Sequence, residues 1–319
     1  METMATAHQR RHLYDPRQGT EAICIRKFEF GTEPSEPPRT NYFSVFWIDE
    51  GAGEFWADAA RHPFHAGSLV FFTPYQYIRF APAAAVRGLL IQFHANFLCV
   101  ETFHAESGCA GELFNDPYHP PAVAFDHKSR RGVAQLLKQM EQEHAARELA
   151  FAEMLLAQVK ILLILATRRK THTLHACNVD GRNPRHPVLG ALKELIDAHY
   201  ATLHSPADYA RLLHMAPKTL GRVVREQLGK TLTDLIRERI LTHAKWQLLH
   251  TLKPVKEVAR EVGFADELYF SRMFKKATGY SPTFFREFET EIRGGSNLSM
   301  LSRPAPIPTY EPPSDNSNG

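Results

Sequence analysis

Residues 255–286 read VKEVAREVGFADELYFSRMFKKATGYSPTFFR, and the spacing within this stretch decides the fold of the C-terminal third. Val255, Val258, Ala259 and Val262 fall at i, i+3, i+4 and i+7, one apolar face of a short helix. Gly263 follows where a helix end favours a left-handed residue. Asp266 is a good N-cap for the next helix and sets a carboxylate near its positive end. That helix carries Phe270, Met273, Phe274 and Ala277 on its apolar stripe. Two short amphipathic helices joined by a tight glycine-containing turn make a helix-turn-helix. Leu268, Ser271, Arg272 and Lys275 form the opposite face of the second helix. In a DNA-binding helix-turn-helix this side faces the major groove. Arg272 has the fork geometry to read guanine O6 and N7, and Lys275 suits a phosphate. A solvated face on a structural hairpin has the same pattern, so one helix leaves both readings open.

A repeat weighs against the plainer reading. Shifted by 50 residues, APKTLGRVVREQLGKT (216–231) falls on DELYFSRMFKKATGYS (266–281). Leu220, Val223, Val224 and Gly229 match Phe270, Met273, Phe274 and Gly279. On the exposed face Lys218, Gly221, Arg222 and Arg225 stand where Leu268, Ser271, Arg272 and Lys275 stand. Pro206–Leu213 precedes the first unit as Val255–Val262 precedes the second, with a turn one residue shorter and His214 in place of glycine. Between the units, TLTDLIRERILTHAKWQLLH (231–250) is capped by Thr231 and predicts a rigid helix of roughly 30 Å. That is near the ~34 Å of one DNA turn, so two readers on this connector are spaced for successive major grooves.

The segment from about Val188 to Phe288 resembles the DNA-binding domain of the AraC/XylS family of bacterial transcription regulators. The resemblance rests on Glu257-Val258-Ala259, Val262-Gly263-Phe264, Asp266, Tyr269-Phe270-Ser271-Arg272, Phe274-Lys275-Lys276, Gly279, Ser281-Pro282 and Phe285-Arg286. It implies base reading by Lys218, Arg222, Glu267, Ser271 and Arg272, and phosphate contacts by Arg225, Lys275, Lys276 and the helix N-termini. Leu268 departs from the pattern, standing where the family often has a small polar residue, so no hydrogen bond is assigned to it.

The rest of the chain reads differently. YFSVFWI, EFWAD, LVFFT, YIRFA and GLLIQFHA, within residues 40–100, are short aromatic and β-branched runs punctuated by glycine and proline. They predict a β-sandwich or barrel. Gly51-x-Gly53, Gly67-Ser68-Leu69, Phe71-Phe72 and Thr73-Pro74 are similar to the cupin-like sensor domain that precedes the reader in many such regulators. Metal-dependent cupin enzymes place a His-x-His…Glu set there; this region reads EFWADAARHPFH, with His62 and His65 three apart in a predicted turn and His94 on a strand. Neither a metal site, a cofactor nor a catalytic set is assigned. Arg39, Tyr42, Trp47 and Arg79 are candidates for the mouth of an effector pocket, an arginine pairing with an anion; packing and rim positions are the other reading. Helical spacing predicts helices over roughly 129–145 and 148–169, as a dimer interface or as a cap on the barrel.

Charge is mildly polarised. Residues 185–291 hold 17 Lys+Arg against 13 Asp+Glu, within a chain of 319 residues and net charge +3. A basic C-terminal third suits an anionic partner and equally a solvated surface. The four cysteines are scattered without a CxxC pair, the N-terminus has no apolar signal core and no apolar run approaches a membrane span, so a cytoplasmic protein is expected.

The expectation is an α+β chain of two domains. Residues 1–128 form a cupin-like effector domain, 129–170 a helical dimerisation segment, 171–187 a linker, 188–292 the double helix-turn-helix and 293–319 a disordered tail. The expected function is a transcription regulator, more often an activator. Its partners are double-stranded DNA in adjacent major grooves, RNA polymerase, an unknown small-molecule effector and a second copy of itself. A cupin enzyme with an appended DNA-binding domain and an effector-independent DNA-binding adaptor are the alternatives.

Overall fold

In the computed structural model, the described residues are 12–100, 113–114, 116–179 and 186–293. The expected tail at 293–319 lies almost wholly outside them. A five-stranded and a three-stranded sheet, both antiparallel, fill the N-terminal half, and helices fill the rest. The strands are β1 (Ile23–Phe30), β2 (Phe43–Glu50), β3 (Ala52–Ala57), β4 (Ala60–His65), β5 (Ser68–Phe72), β6 (Ile78–Pro82), β7 (Val86–Phe93) and β8 (Ala122–Ala124). Their order is β1-β7-β2-β5-β8 in one sheet and β4-β3-β6 in the other.

The large sheet is covered on both faces, which explains the nearly continuous apolar run of β2. Phe46 and Ile48 turn one way, into a core shared with Phe55, Phe64, Phe72 and Phe80 between the sheets. Val45 and Trp47 turn the other way, onto α1 (His127–Ala146) and α2 (Phe151–Val179). Those helices bring Val133, Leu137, Met140, Leu155, Val159 and Leu162 to the contact. The period of two in the strand meets the period of 3.6 in the helices, and both close on one layer.

Two expectations change here. The segment 60–65, read as a turn, is strand β4, paired along its length with β3. Pro63 sits on this edge strand, where a missing ladder donor is tolerated. The helix expected to end at 169 continues to Val179, so residues 171–179 are helical rather than linker. The apolar periodicity stops near Lys170, while the helix itself runs on to Val179.

The C-terminal helices are α3 (Val188–His199), α4 (Pro206–Leu212), α5 (Pro217–Leu228), α6 (Leu232–His250), α7 (Val255–Glu261), α8 (Glu267–Thr278) and α9 (Pro282–Ile292). Their core gathers Leu192, Leu220, Val224, Leu235, Val258, Phe270 and Phe274, and it also takes in Tyr14, Tyr42 and Tyr75 from the N-terminal half. The two halves therefore share one apolar cluster.

Candidate nucleic-acid interface

The local chemistry of each unit fixes its reading helix. In the second, Gly263 closes the turn at φ 94, and a Cβ there would stand 2.2 Å from the Ala201 carbonyl oxygen. In the first, His214 takes the left-handed place at φ 52. Asp266 accepts from the Leu268 N–H at 2.8 Å as the N-cap of α8. Both α5 and α8 end on a left-handed glycine, Gly229 and Gly279. Between them α6 starts from a capping box: Thr231 Oγ1 accepts from the Asp234 N–H at 3.2 Å, and Asp234 accepts from the Thr231 N–H at 3.1 Å. Its 19 residues span about 28 Å.

Against this frame the predicted side chains fall on matching faces. Leu220 and Phe270 are fully buried, as are Val224 and Phe274. Arg222 and Arg272 stand at the same step of their helices, 50 residues apart, and both are exposed. Arg222 meets Glu226 at 3.7 Å, a pair open to solvent on both sides. Arg272 has no ion pair among the described residues. Lys218, Arg225, Lys275 and Lys276 are exposed, while Glu267 and Ser271 are half-buried. Leu268 is 71% exposed, an apolar side chain on the outer face of the first turn of α8. Tyr269, which the sequence resemblance includes without a role, is 56% exposed beside it and packed on Phe264.

The four pocket candidates do not gather at one mouth. Trp47 is buried against Phe125 within the sheet–helix core. Tyr42 is buried, its hydroxyl donates to the Glu21 carbonyl at 2.7 Å, and burial pushes its phenol up to about 12. Arg79 lies over the Trp56 ring at 5.1 Å, near Glu36. Only Arg39 lines the large cleft, of about 1060 Å³, between the two halves of the chain. His62 also lines it, half-buried on β4, and burial first, then the charges of Lys230 and Lys170, push its imidazole down to about 4. His94 is a buried histidine paired with Glu289 at 3.3 Å. Strand alternation alone does not say which face of β2 is covered by helices, and that is why Trp47 read as available.

A family described as a helix-turn-helix domain matches residues 209–287. Residues 209–287 form a helix-turn-helix domain of that family. An arabinose operon regulatory protein of Salmonella typhimurium is 39% identical over 94 residues, 29% of this chain and 34% of that protein. An HTH-type transcriptional activator, RhaR of Klebsiella pneumoniae, is 28% identical over 214 residues, 64% of this chain and 71% of that protein. Among solved structures, the C-terminal domain of AraT, a response regulator from Geobacillus stearothermophilus, is similar at 30% identity and a TM-score of 0.32. It covers 33% of this chain and 88% of that domain. The match to the arabinose regulator thus spans about a third of that protein's length.

Proposed function

We propose that the chain is a sequence-specific DNA-binding transcription regulator whose AraC-type domain reads two successive major grooves. The observation that carries this is the doubled reader: Arg222 and Arg272 stand exposed at equivalent steps of α5 and α8, and one capped helix of about 28 Å joins the units. Arg222 and Arg272 read bases with Lys218, Glu267 and Ser271; Arg225, Lys275, Lys276 and the helix N-termini hold phosphates. The relatives' descriptions as an operon regulator and a transcriptional activator support this and favour activation; contact with RNA polymerase is part of the proposal.

The sheet-rich half serves in this proposal as a cupin-like sensing domain for a small effector in the cytoplasm. Arg39 at the cleft is the surviving candidate for meeting an anionic one. Met154, Ile161 and Leu165 form an exposed apolar stripe on α2, which supports a homodimer through that helix. Selection of bound duplexes from a random-sequence pool tests the proposal. Enrichment of a motif with two contacted patches on one face supports it, and recovery of no preferred sequence overturns it.

A further inference from the structure

The first turns of α5 and α8 differ in kind at one step. Lys218 is the second residue of α5 and Leu268 the second residue of α8, in helices of equal length. Both side chains are exposed. A lysine there is an ordinary surface residue; a leucine is not. Among the described residues Leu268, at 71%, is the most exposed large apolar side chain within a helix. The comparably exposed Leu149 and Leu252 lie in the connections that precede α2 and α7.

The fold does not call for a leucine at this step. Its neighbours Phe264, Phe270 and Met273 join the C-terminal apolar cluster, and Leu268 does not. Tyr269 lines the cleft between the halves, and Leu268 does not. The helix start uses only its backbone: the Leu268 N–H donates to Asp266 at 2.8 Å, a bond that any residue except proline would make. Leucine is a good helix former, but lysine, glutamine and glutamate serve as well without exposing apolar surface.

The position points instead to what lies outside the chain. Leu268 and Arg272 stand at i and i+4, neighbours on one helix face. They are about 6 Å apart along the axis, close to two base-pair steps. In a helix-turn-helix the N-terminal residues of the reading helix meet base edges. Those edges offer donors and acceptors at every base pair, but an apolar group on one base alone, the C5 methyl of thymine. Against any other edge a leucine would cover a polar group without replacing its hydrogen bond to water.

We propose that Leu268 reads a thymine methyl in the major groove entered by α8, about two base-pair steps from the base met by Arg272. The contact rests on the DNA-reading proposal above and names the chemistry of one of its positions. Lys218, at the same step of α5, suits guanine O6 and N7 instead. The two half-sites are therefore unlike, although the two readers are copies in fold, and the bound sequence has a direction.

The test uses the full chain and the duplex it selects from a random pool, with deoxyuridine placed at each thymine in turn. Deoxyuridine pairs as thymine does and lacks only the methyl. In the patch whose protection fades with Arg272→Ala, one such replacement is expected to weaken binding about fourfold. At that position a 5-methylcytosine·guanine pair should bind about fourfold tighter than cytosine·guanine, because its methyl occupies the same edge. Leu268→Ala, and Leu268→Lys, which copies α5, are each checked by cooperative thermal unfolding. Both differences should vanish in them, while deoxyuridine in the other patch acts as it does on the parent. A patch without thymine, a parent indifferent to every deoxyuridine, or differences that persist in both variants overturn the contact and leave the doubled reader standing. If no sequence is selected, the DNA-reading proposal falls and this contact falls with it.

Discussion

Arg222 and Arg272 occupy the same step of two helices that begin 50 residues apart, each above a fully buried apolar pair and each ending its helix on a left-handed glycine. In the proposed reading, that equivalence gives the two arginines the same task at two places on DNA. Truncating either to alanine is expected to cost about 1–3 kcal/mol on a selected site, and to relax preference at different base pairs. Binding titrations against single-base-pair variants of that site check this. Equal loss on selected and random DNA would remove the base-reading role.

Lys275 calls for a different outcome. It is exposed one turn beyond Ser271 and suits a phosphate. Lys275→Ala should weaken all duplexes alike and lower the slope of log affinity against log salt by about one. A change in sequence preference without a change in slope contradicts this.

Two glycines of the reading units, one in a turn and one inside a helix, make a graded stability series. Gly263→Ala forces a Cβ at φ 94 to within 2.2 Å of the Ala201 carbonyl oxygen and against His204, and should cost about 2 kcal/mol or more. Gly221 is mid-helix with nothing within 4 Å of an added Cβ, so Gly221→Ala should stabilise by about 0.5–1 kcal/mol. Denaturant unfolding of both variants tests the order, and a harmless Gly263→Ala would contradict the turn geometry.

Much of the C-terminal third was legible because its signals are local. Gly263, Asp266, Thr231 and Gly279 each act within one turn of helix, so neighbouring residues carry the message. The strand β4 was not, since Pro63 and two histidines mask an edge strand that needs pairing on one side only. The pocket residues misled for another reason. Trp47 and Tyr42 look available in sequence and are covered by elements far along the chain. The contact of Glu289 with Asn41, Tyr75 and His94 links positions about two hundred residues apart, and no periodicity encodes such a meeting.

Acid should act on stability in two windows. His62 is depressed to about 4 in the fold from an ordinary value near 6.5, chiefly by burial, so the unfolded chain binds more protons between these values. Stability is therefore full above about pH 6.5 and falls as pH drops towards 4. Burial pushes the Glu289 carboxyl up, but the hydrogen bond from His94, nearby positive charge and the hydrogen bond from Tyr75 together outweigh it and hold it below the usual carboxylate range. Its contribution is present above about pH 4.3 and is lost as pH falls through the lower folded value. Unfolding curves across pH should show His62→Gln flattening the upper window alone. A variant that leaves the upper window unchanged contradicts the assignment.

The doubled reader itself is tested most directly by hydroxyl-radical footprinting on a site selected from random DNA, with the parent chain and with Arg222→Ala and Arg272→Ala. Two protected patches on one face, about ten base pairs apart, are expected, each fading with a different arginine. A single patch, or the same patch fading in both variants, would contradict the account.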